Sequence, residues 1–491
     1  MAKSHTNLSR RSLLMGIGAA GVSLKFTGYA SADGTGRYLV RGANGVAEAV
    51  ADEGFDVLHE LRGNVLIVEA PSDADLELIT KVHDSLLDFT FEMEAPAAME
   101  AVQEVPAFYE NQWDKHLQDV IEAHDMATGD GTRLVVIDTG IDDKHQDLEN
   151  VNVEDSVSII EGEIGDHDGD VGDHGTHVAG TVAATGEEGV TGTAPDAELV
   201  SIRVFGEEGG AAFGDILLAA NYAADIDADA ANMSIGTAPI PPNGNVEGYR
   251  MMMQPVFNAA TKEGTLYVGS AGNSAANLQQ GGFFTLPNSL QGVLSTSATA
   301  PNDNLTFFSN YGTNEIDAGG PGGGYETNLK TLFGIREWTL AGAPPLRSDH
   351  PLEEGDEGEL WFDENGEITF DPDEIEEVVE FESPAWPYPF NLVFSTIPDQ
   401  GYAWMAGTSM AAPQVTGLVG LVRELDSDAN AKQVESAIKQ GADGTNGRSD
   451  PALGAGRINA LNTVEVVAGS GGGGPGNGGN GSANSDPGNG N

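Results

Sequence analysis

Between residues 134 and 298, short apolar runs alternate with helix-length segments. The runs are LVVIDTGID (134–142), AELVSIRVF (197–205), AANMSIG (230–236), GTLYVGSAGN (264–273) and GVLSTSA (292–298). GDILLAANYAAD (214–225) and MMMQPVFNAATKEG (251–264) lie between them. Brief apolar runs bounded by turn residues suit strands buried on both faces, as in parallel sheets covered by helices. The alternation predicts an α/β fold, with a mostly parallel central sheet flanked by helices. In such sheets, functional groups collect outside the carboxyl ends of the strands.

The chain holds 22 Lys and Arg against 77 Asp and Glu, a formal charge of −55. That balance excludes nucleic acid as a default partner, because phosphate binding needs basic patches. It also disfavours anionic membranes. The acid is spread along the chain, which suits a surface solvated in concentrated salt. There is no cysteine, so neither disulfides nor thiol chemistry enter.

The N-terminus carries an export signal. Arg10 and Arg11 precede an apolar run from Leu13 to Leu24, too short to span a bilayer. ASA at 30–32 fits a cleavage site, and the arginine pair is similar to a twin-arginine signal. We expect residues 1–32 to be that signal, with no stable membrane anchor elsewhere and the protein secreted. RYLVRG, VLIVEAP and LDFTFEM within 33–95 read as strands, and DADLELITKVHD (73–84) reads as a helix. A looser stretch at 96–112 reads as a linker, and 113–468 as the main domain. An acidic insertion spans about 325–392, where Asn365-Gly366 marks a hairpin. Residues 469–491 are a Gly/Asn-rich tail without a core.

Three reactive residues sit in similar settings. Asp138 ends the strand of VIDTGID, His174 lies in GDHGTHVAG, and Ser409 lies in AGTSMAAPQVTGLVGLV. Small residues surround each, so backbone and substrate can come close. The apolar run after Ser409, with Pro413 in its first turn, places that serine at a helix N-terminus. Asn273 in SAGNS, at a strand end, offers an amide to a developing oxyanion. A serine attacks an amide when a base takes its proton and a third group orients that base.

These segments resemble the subtilisin-like serine peptidases, and the acidic, exported version is most similar to the haloarchaeal halolysins. The order Asp, His, Ser along the chain is also the subtilisin order. The match covers about 130–320 and 395–465. It implies that Ser409 attacks the scissile carbonyl and that His174 carries the proton. Asp138 would orient the imidazole, while Asn273 and the Ser409 backbone N–H hold the oxyanion. It implies protein and peptide substrates, with no cofactor for catalysis. Substrate would lie along NMSIG and GEEGGA, the latter containing Gly209. Ser234, Ile235 and Gly236 would wall the S1 pocket, with Ser270, Ala271 and Gly272 opposite. FFTLPN would close its floor. Small, uncharged walls favour a bulky apolar P1 residue. The 33–95 region is similar to the family's inhibitory propeptide, a small α+β unit. Its removal by self-cleavage is expected at about 95–115.

Asp147 matches a family calcium ligand, so one structural calcium is expected there. The partner loop ATGEEGVTG (184–192) departs from the family pattern, being shorter and lacking its Asn ligands. DHDGD (166–170) offers clustered carboxylates as another candidate. His177, three residues after His174, fits a core histidine, and no HExxH glutamate supports zinc. Asp173 beside His174 and the long insertion before Ser409 are further departures. A catalytically silent homologue would bind peptides instead, and an acidic surface protein would leave the four motifs unexplained.

At 0.01 M salt the Debye length is about 30 Å, so like charges across a domain repel, while at 1 M it is about 3 Å. Folded signal and peptide hydrolysis should therefore rise together between roughly 0.1 and 2 M NaCl. Circular dichroism and hydrolysis across a salt series check this, and KCl should act like NaCl. A chain fully folded and active for days in dilute buffer would refute it.

Overall fold

The computed structural model describes residues 35–41, 55–71, 80–83, 86–87, 93–97, 106–206, 210–241, 246–280, 282–327, 391–444 and 449–470, with 47, 50, 51, 330 and 331 besides. The expected signal, the Asn365-Gly366 hairpin, Gly209 and the tail beyond 470 lie outside these residues.

The N-terminal region contributes β1 (Thr35–Arg41), β2 (Asp56–Leu61), β3 (Val65–Pro71) and β4 (Thr80–His83). They form an antiparallel sheet in the order β2-β3-β1-β4. Alternation along β1 and β3 divides the side chains between two faces. Tyr38, Val40, Leu66 and Val68 close a small core of their own, whereas Leu39, Val65 and Ile67 join a core of the main domain. Thr80–His83 was expected to be helical, yet it pairs with β1 from Tyr38↔His83 to Arg41↔Thr80. The sheet's open edge overrides a weak helical period over so short a segment. β5 (Leu86–Leu87) and β6 (Met93–Ala97) follow. β6 pairs with a strand of the main domain, so the expected linker is ordered at its start.

In the main domain, β7 (Arg133–Asp138), β8 (Val157–Ile160), β9 (Glu163–Asp166) and β10 (Glu198–Arg203) come first. A short β11 (Ala211–Ala212) precedes β12 (Ala230–Met233), β13 (Leu266–Ser270), β14 (Val293–Thr299) and β15 (Ala318–Pro321). β16 (Val393–Ile397) and β17 (Gly401–Ala406) form a hairpin, and β18 (Asp443–Gly444) and β19 (Gly456–Arg457) end the series. The large sheet runs β18-β19-β15-β14-β13-β12-β7-β10-β8-β9. Pairing is parallel from β19 to β8, with antiparallel partners only at the two ends. The chain moves from β7 to β10 on one side and later to β12 on the other. β7 is therefore the switch point, where an α/β sheet opens a crevice at its carboxyl edge.

The helices are α1 (Trp113–Leu117), α2 (Val120–His124), α3 (His174–Ala183), α4 (Phe213–Asp225), α5 (Val246–Glu263), α6 (Thr408–Leu425), α7 (Ala431–Gly441) and α8 (Ala460–Ser470). Val135 and Ile137 of β7 pack with α4 and α5, while Leu134 and Val136 pack with α3, α6, α7 and α8. Burial on both faces is why this strand reads as an unbroken apolar run.

A buried polar knot joins α1, α3 and α6. Lys115 Nζ, fully enclosed, donates to Thr181 O at 2.9 Å, Thr193 Oγ1 at 2.9 Å and Gln414 Oε1 at 2.8 Å. Gln414 Nε2 donates in turn to Asp114 Oδ2 at 2.7 Å, and that oxygen lies 3.6 Å from Lys115 Nζ. Burial pushes the Lys115 amine down to about 8 from 10.5. In a Ser409→Ala background, Lys115→Met should cost about 3–5 kcal/mol, because it strands the Asp114 carboxylate. Adding Asp114→Leu should recover most of it, as read by urea unfolding. Between about 8 and 10.5 the folded parent binds fewer protons than the unfolded chain, so this group's contribution to stability rises with pH. That slope should vanish in Lys115→Met, and an unchanged urea midpoint there would refute the account.

Candidate active site

Asp138 is the last residue of β7 and is fully buried. His174 is the first residue of α3, with 16% of its side chain exposed. Its Nδ1 lies 2.7 Å from Asp138 Oδ1, which also accepts Thr139 N at 2.8 Å. A carboxylate acceptor keeps the proton on Nδ1 and leaves Nε2 as the basic nitrogen. The close approach of the two elements requires glycine. A Cβ on Gly175 would stand 2.0 Å from Gly140 O.

Ser409 is the second residue of α6. Its Oγ donates to Ser234 O at 3.1 Å, and Ser234 Oγ donates to Ser409 O at 2.7 Å. This reciprocal pair pins the turn carrying the serine to the end of β12. Asn273 Oδ1 accepts both Thr408 N at 2.9 Å and Thr408 Oγ1 at 2.8 Å. Those bonds fix which end of the Asn273 amide is the acceptor and assign Nδ2 the donor role. Gly272, at φ +98°, donates its N–H to Thr408 Oγ1 at 3.0 Å. The links run to the carboxyl ends of β7, β12 and β13, which are neighbours in the sheet.

The expected pocket walls follow the same edge. Ser234, Ile235 and Gly236 leave β12, while Ser270 ends β13 and Ala271 and Gly272 continue it. The segment FFTLPN lies against the first wall, with Thr237 N donating to Leu286 O at 3.0 Å and Leu286 N to Thr237 Oγ1 at 3.0 Å.

Two neighbours of the site have separate roles. His177 is fully buried and faces Val393 O at 3.3 Å and Ala403 O at 3.2 Å. Burial, then the charge on His174, push its imidazole down to about 3, so it stays neutral as a core donor. Asp170 braces the His174 turn, a role that the sequence missed by offering it, within DHDGD, as part of a candidate calcium site. It accepts Gly172 N at 2.9 Å, Thr176 N at 2.9 Å and Thr176 Oγ1 at 2.6 Å. Burial raises its carboxyl to about 6 despite those donors. Gly172 and Thr176, close by in the sequence, were the available signal. Thr408, which organises Asn273, carried none beyond adjacency to Ser409. Asp173 is the N-cap residue of α3, and its carbonyl accepts His177 N at 3.1 Å.

The fully buried Asp147 carboxylate is surrounded by donors. Oδ1 accepts Glu188 N at 3.0 Å and Gly189 N at 3.1 Å. Oδ2 accepts Gly189 N at 3.0 Å, Val190 N at 3.1 Å and Tyr402 Oη at 2.6 Å. A cation needs these lone pairs, so this donor set does not fit calcium. In the DHDGD segment, Asp168 pairs with Arg203 at 2.6 Å and His167 lies 3.3 Å from Asp143. Among the described residues, no group of three or more His, Cys, Asp or Glu could hold a metal.

The family model for the Subtilase family matches residues 129–339 and 385–456. The chain belongs to the subtilase family, and it is a subtilisin-like serine peptidase that acts on protein substrates. It is 29% identical over 420 residues to alkaline elastase YaB of Bacillus sp. (strain YaB), covering 84% of this chain and 83% of that one. It is 28% identical over 334 residues to Subtilisin Savinase of Lederbergia lenta, covering 68% and 90%. The crystal structure of the epidermin leader peptide processing serine protease from Staphylococcus aureus shares the fold, with TM-score 0.65, 19% identity and coverage of 88% and 98%.

In Ser409→Ala protein, any shift in unfolding midpoint caused by EGTA should be the same with and without Asp147→Asn. Tyr402→Phe removes one donor from the Asp147 carboxylate. It should lower the midpoint by about 2–6 °C, with or without calcium. Differential scanning calorimetry reads both. A chelator shift lost on Asp147→Asn would return calcium to this position.

Proposed function

We propose that this subtilase is a secreted serine endopeptidase, made as a self-processing precursor and active at high salt. The observation that carries the catalytic reading is the 2.7 Å contact of His174 Nδ1 with the fully buried Asp138 carboxylate. In the reaction, the Ser409 hydroxyl leaves Ser234 O and gives its proton to His174 Nε2. Oγ bonds to the scissile carbonyl carbon, and the oxyanion rests on Asn273 Nδ2–H and the Ser409 N–H. Asp138 stabilises the imidazolium. The intermediate collapses, and His174 passes the proton to the leaving amine. Water, deprotonated by His174, then attacks the acyl carbon, the Oγ–C bond breaks to release the acid, and His174 returns the proton to Ser409 Oγ.

Export rests on the arginine pair and the apolar run after it. Among the described residues, no helix is long and apolar enough to cross a membrane. The halolysin likeness rests on the acidity and the export signal, and it supports activity in salt.

The propeptide reading has its own support. Arg37 meets Asp215 at 3.0 Å, both buried, and Arg62 meets Asp225 at 2.8 Å and Glu263 at 2.7 Å. β5 pairs with β11, and β6 pairs with β17, which ends three residues before Ser409. The chain between Leu87 and Met93 therefore joins two segments paired at the catalytic domain. We place the first self-cleavage there, earlier than the sequence suggested.

Ser409→Ala should lose casein hydrolysis by about 10⁴-fold or more while keeping the fold, and it should retain the N-terminal segment. N-terminal sequencing of active enzyme should find a start within 88–93. Wild-type hydrolysis by purified Ser409→Ala would sink the catalytic reading. A start near Gly34 in fully active enzyme would sink the maturation reading.

A further inference from the structure

Asn288 is 3% exposed, and neither its Oδ1 nor its Nδ2 has a hydrogen-bond partner. An amide buried without partners is costly, by about 1–3 kcal/mol per unmatched group, so a native protein rarely keeps one idle. Its surroundings say where it is. A Cβ on Gly236 would lie 3.0 Å from Asn288 Nδ2, and a Cβ on Gly269 would lie 2.5 Å from Asn288 Oδ1. Gly236 belongs to one pocket wall, and Gly269 precedes Ser270 of the other. The amide thus spans the gap between the two walls, and it reaches there because both facing residues are glycine.

The segment that carries it is held firmly. Thr237 and Leu286 exchange two hydrogen bonds, and Ile240 pairs with Phe284 in both directions, at 2.8 and 3.0 Å. Ser289 N donates to Thr285 O at 2.8 Å. A rigid backbone that presents one donor and one acceptor between two walls is a recognition device, since it costs little to order when a ligand arrives.

We propose that Asn288 is a specificity-determining residue, whose amide forms the base of the S1 pocket and selects uncharged P1 side chains ending in an amide or hydroxyl. The inference rests on the catalytic reading of Ser409 and revises the expectation of a purely apolar P1 preference. A bulky hydrocarbon would fill the space but leave both amide groups unmatched. A Gln or Tyr P1 side chain would pair at least one of them. Sites built to bond a polar substrate group discriminate strongly against its apolar analogue, because the site is then left unpaired.

The test uses mature enzyme and peptides differing only at P1, compared as Gln against Met and Tyr against Phe. At least one ratio of kcat/KM should exceed about 10 in favour of the hydrogen-bonding member. Asn288→Leu, which keeps the branching and the number of side-chain heavy atoms but carries no polar group, should bring that ratio close to 1. In Ser409→Ala protein the same change should raise the unfolding midpoint, because it removes the orphaned amide. Parent ratios at or below 1 for both pairs, or ratios unmoved by Asn288→Leu, overturn the proposal. A parent that hydrolyses none of the peptides defeats the catalytic reading instead. Binding of the same peptides to that parent then decides, with equal affinity for both members of each pair overturning the role of Asn288.

Discussion

Helix α6 is buried from Thr408 to Arg423, and this burial organises the molecule. A helix apolar on all sides must lie inside the protein, so its N-terminal N–H groups need partners away from water. They find them at the sheet edge. Gly407 N donates to Gly322 O at 2.8 Å and Thr408 N to Asn273 Oδ1 at 2.9 Å. Meeting that demand draws the ends of β12 and β13 around Ser409. The α3 helix packs beside α6 in the same core layer, and this brings His174 to the same edge. The site is thus a product of how a buried helix end is satisfied.

The buried charges follow one rule: each is met by groups that suit its sign. Asp138 takes an imidazole N–H and a backbone N–H. Asp147 takes backbone amides and the Tyr402 hydroxyl. Lys115 takes three oxygens. In the two structural cases the partners come from distant parts of the chain, so each charge fixes the register between elements. Tyr402 lies on the strand leading to Ser409, and Gly189 sits in the loop after α3. A Cβ on Gly189 would stand 2.2 Å from Tyr402 Oη. The Asp147 cage therefore ties the loop after α3 to the strand that leads into α6.

The N-terminal sheet attaches by both of the means available to it. Its second face supplies Leu39, Val65 and Ile67 to the main core, which salt does not weaken. Its arginines pair with acids of α4 and α5, and where these pairs are exposed, salt screens them. Salt therefore weakens one of these two attachments and leaves the other.

Much of the fold was legible locally. The apolar runs at 134–138, 198–203, 230–233, 266–270 and 293–299 became parallel strands, because burial on both faces leaves a continuous apolar signature. Asp138, His174, Ser409 and Asn273 stood out through the small residues around them, and their motifs resemble a family whose model matches this chain. Where nearest-neighbour pattern did not decide, the reading failed or was silent. Thr80–His83 is a strand because an edge of β1 was open to it. Asp147 matched a calcium ligand by position, but only folding shows its oxygens spent on N–H and O–H donors. Asn288 entered the sequence reading only as the end of FFTLPN at the expected pocket floor, and its own part was not legible, since it lies in lacking partners between two glycines that are remote in sequence. The sequence by itself determined which segments must be buried and which residue types could do the chemistry, because period and composition are local properties. Tertiary structure alone decided which polar groups meet, because hydrogen bonding depends on distances between atoms that the chain separates by up to hundreds of residues.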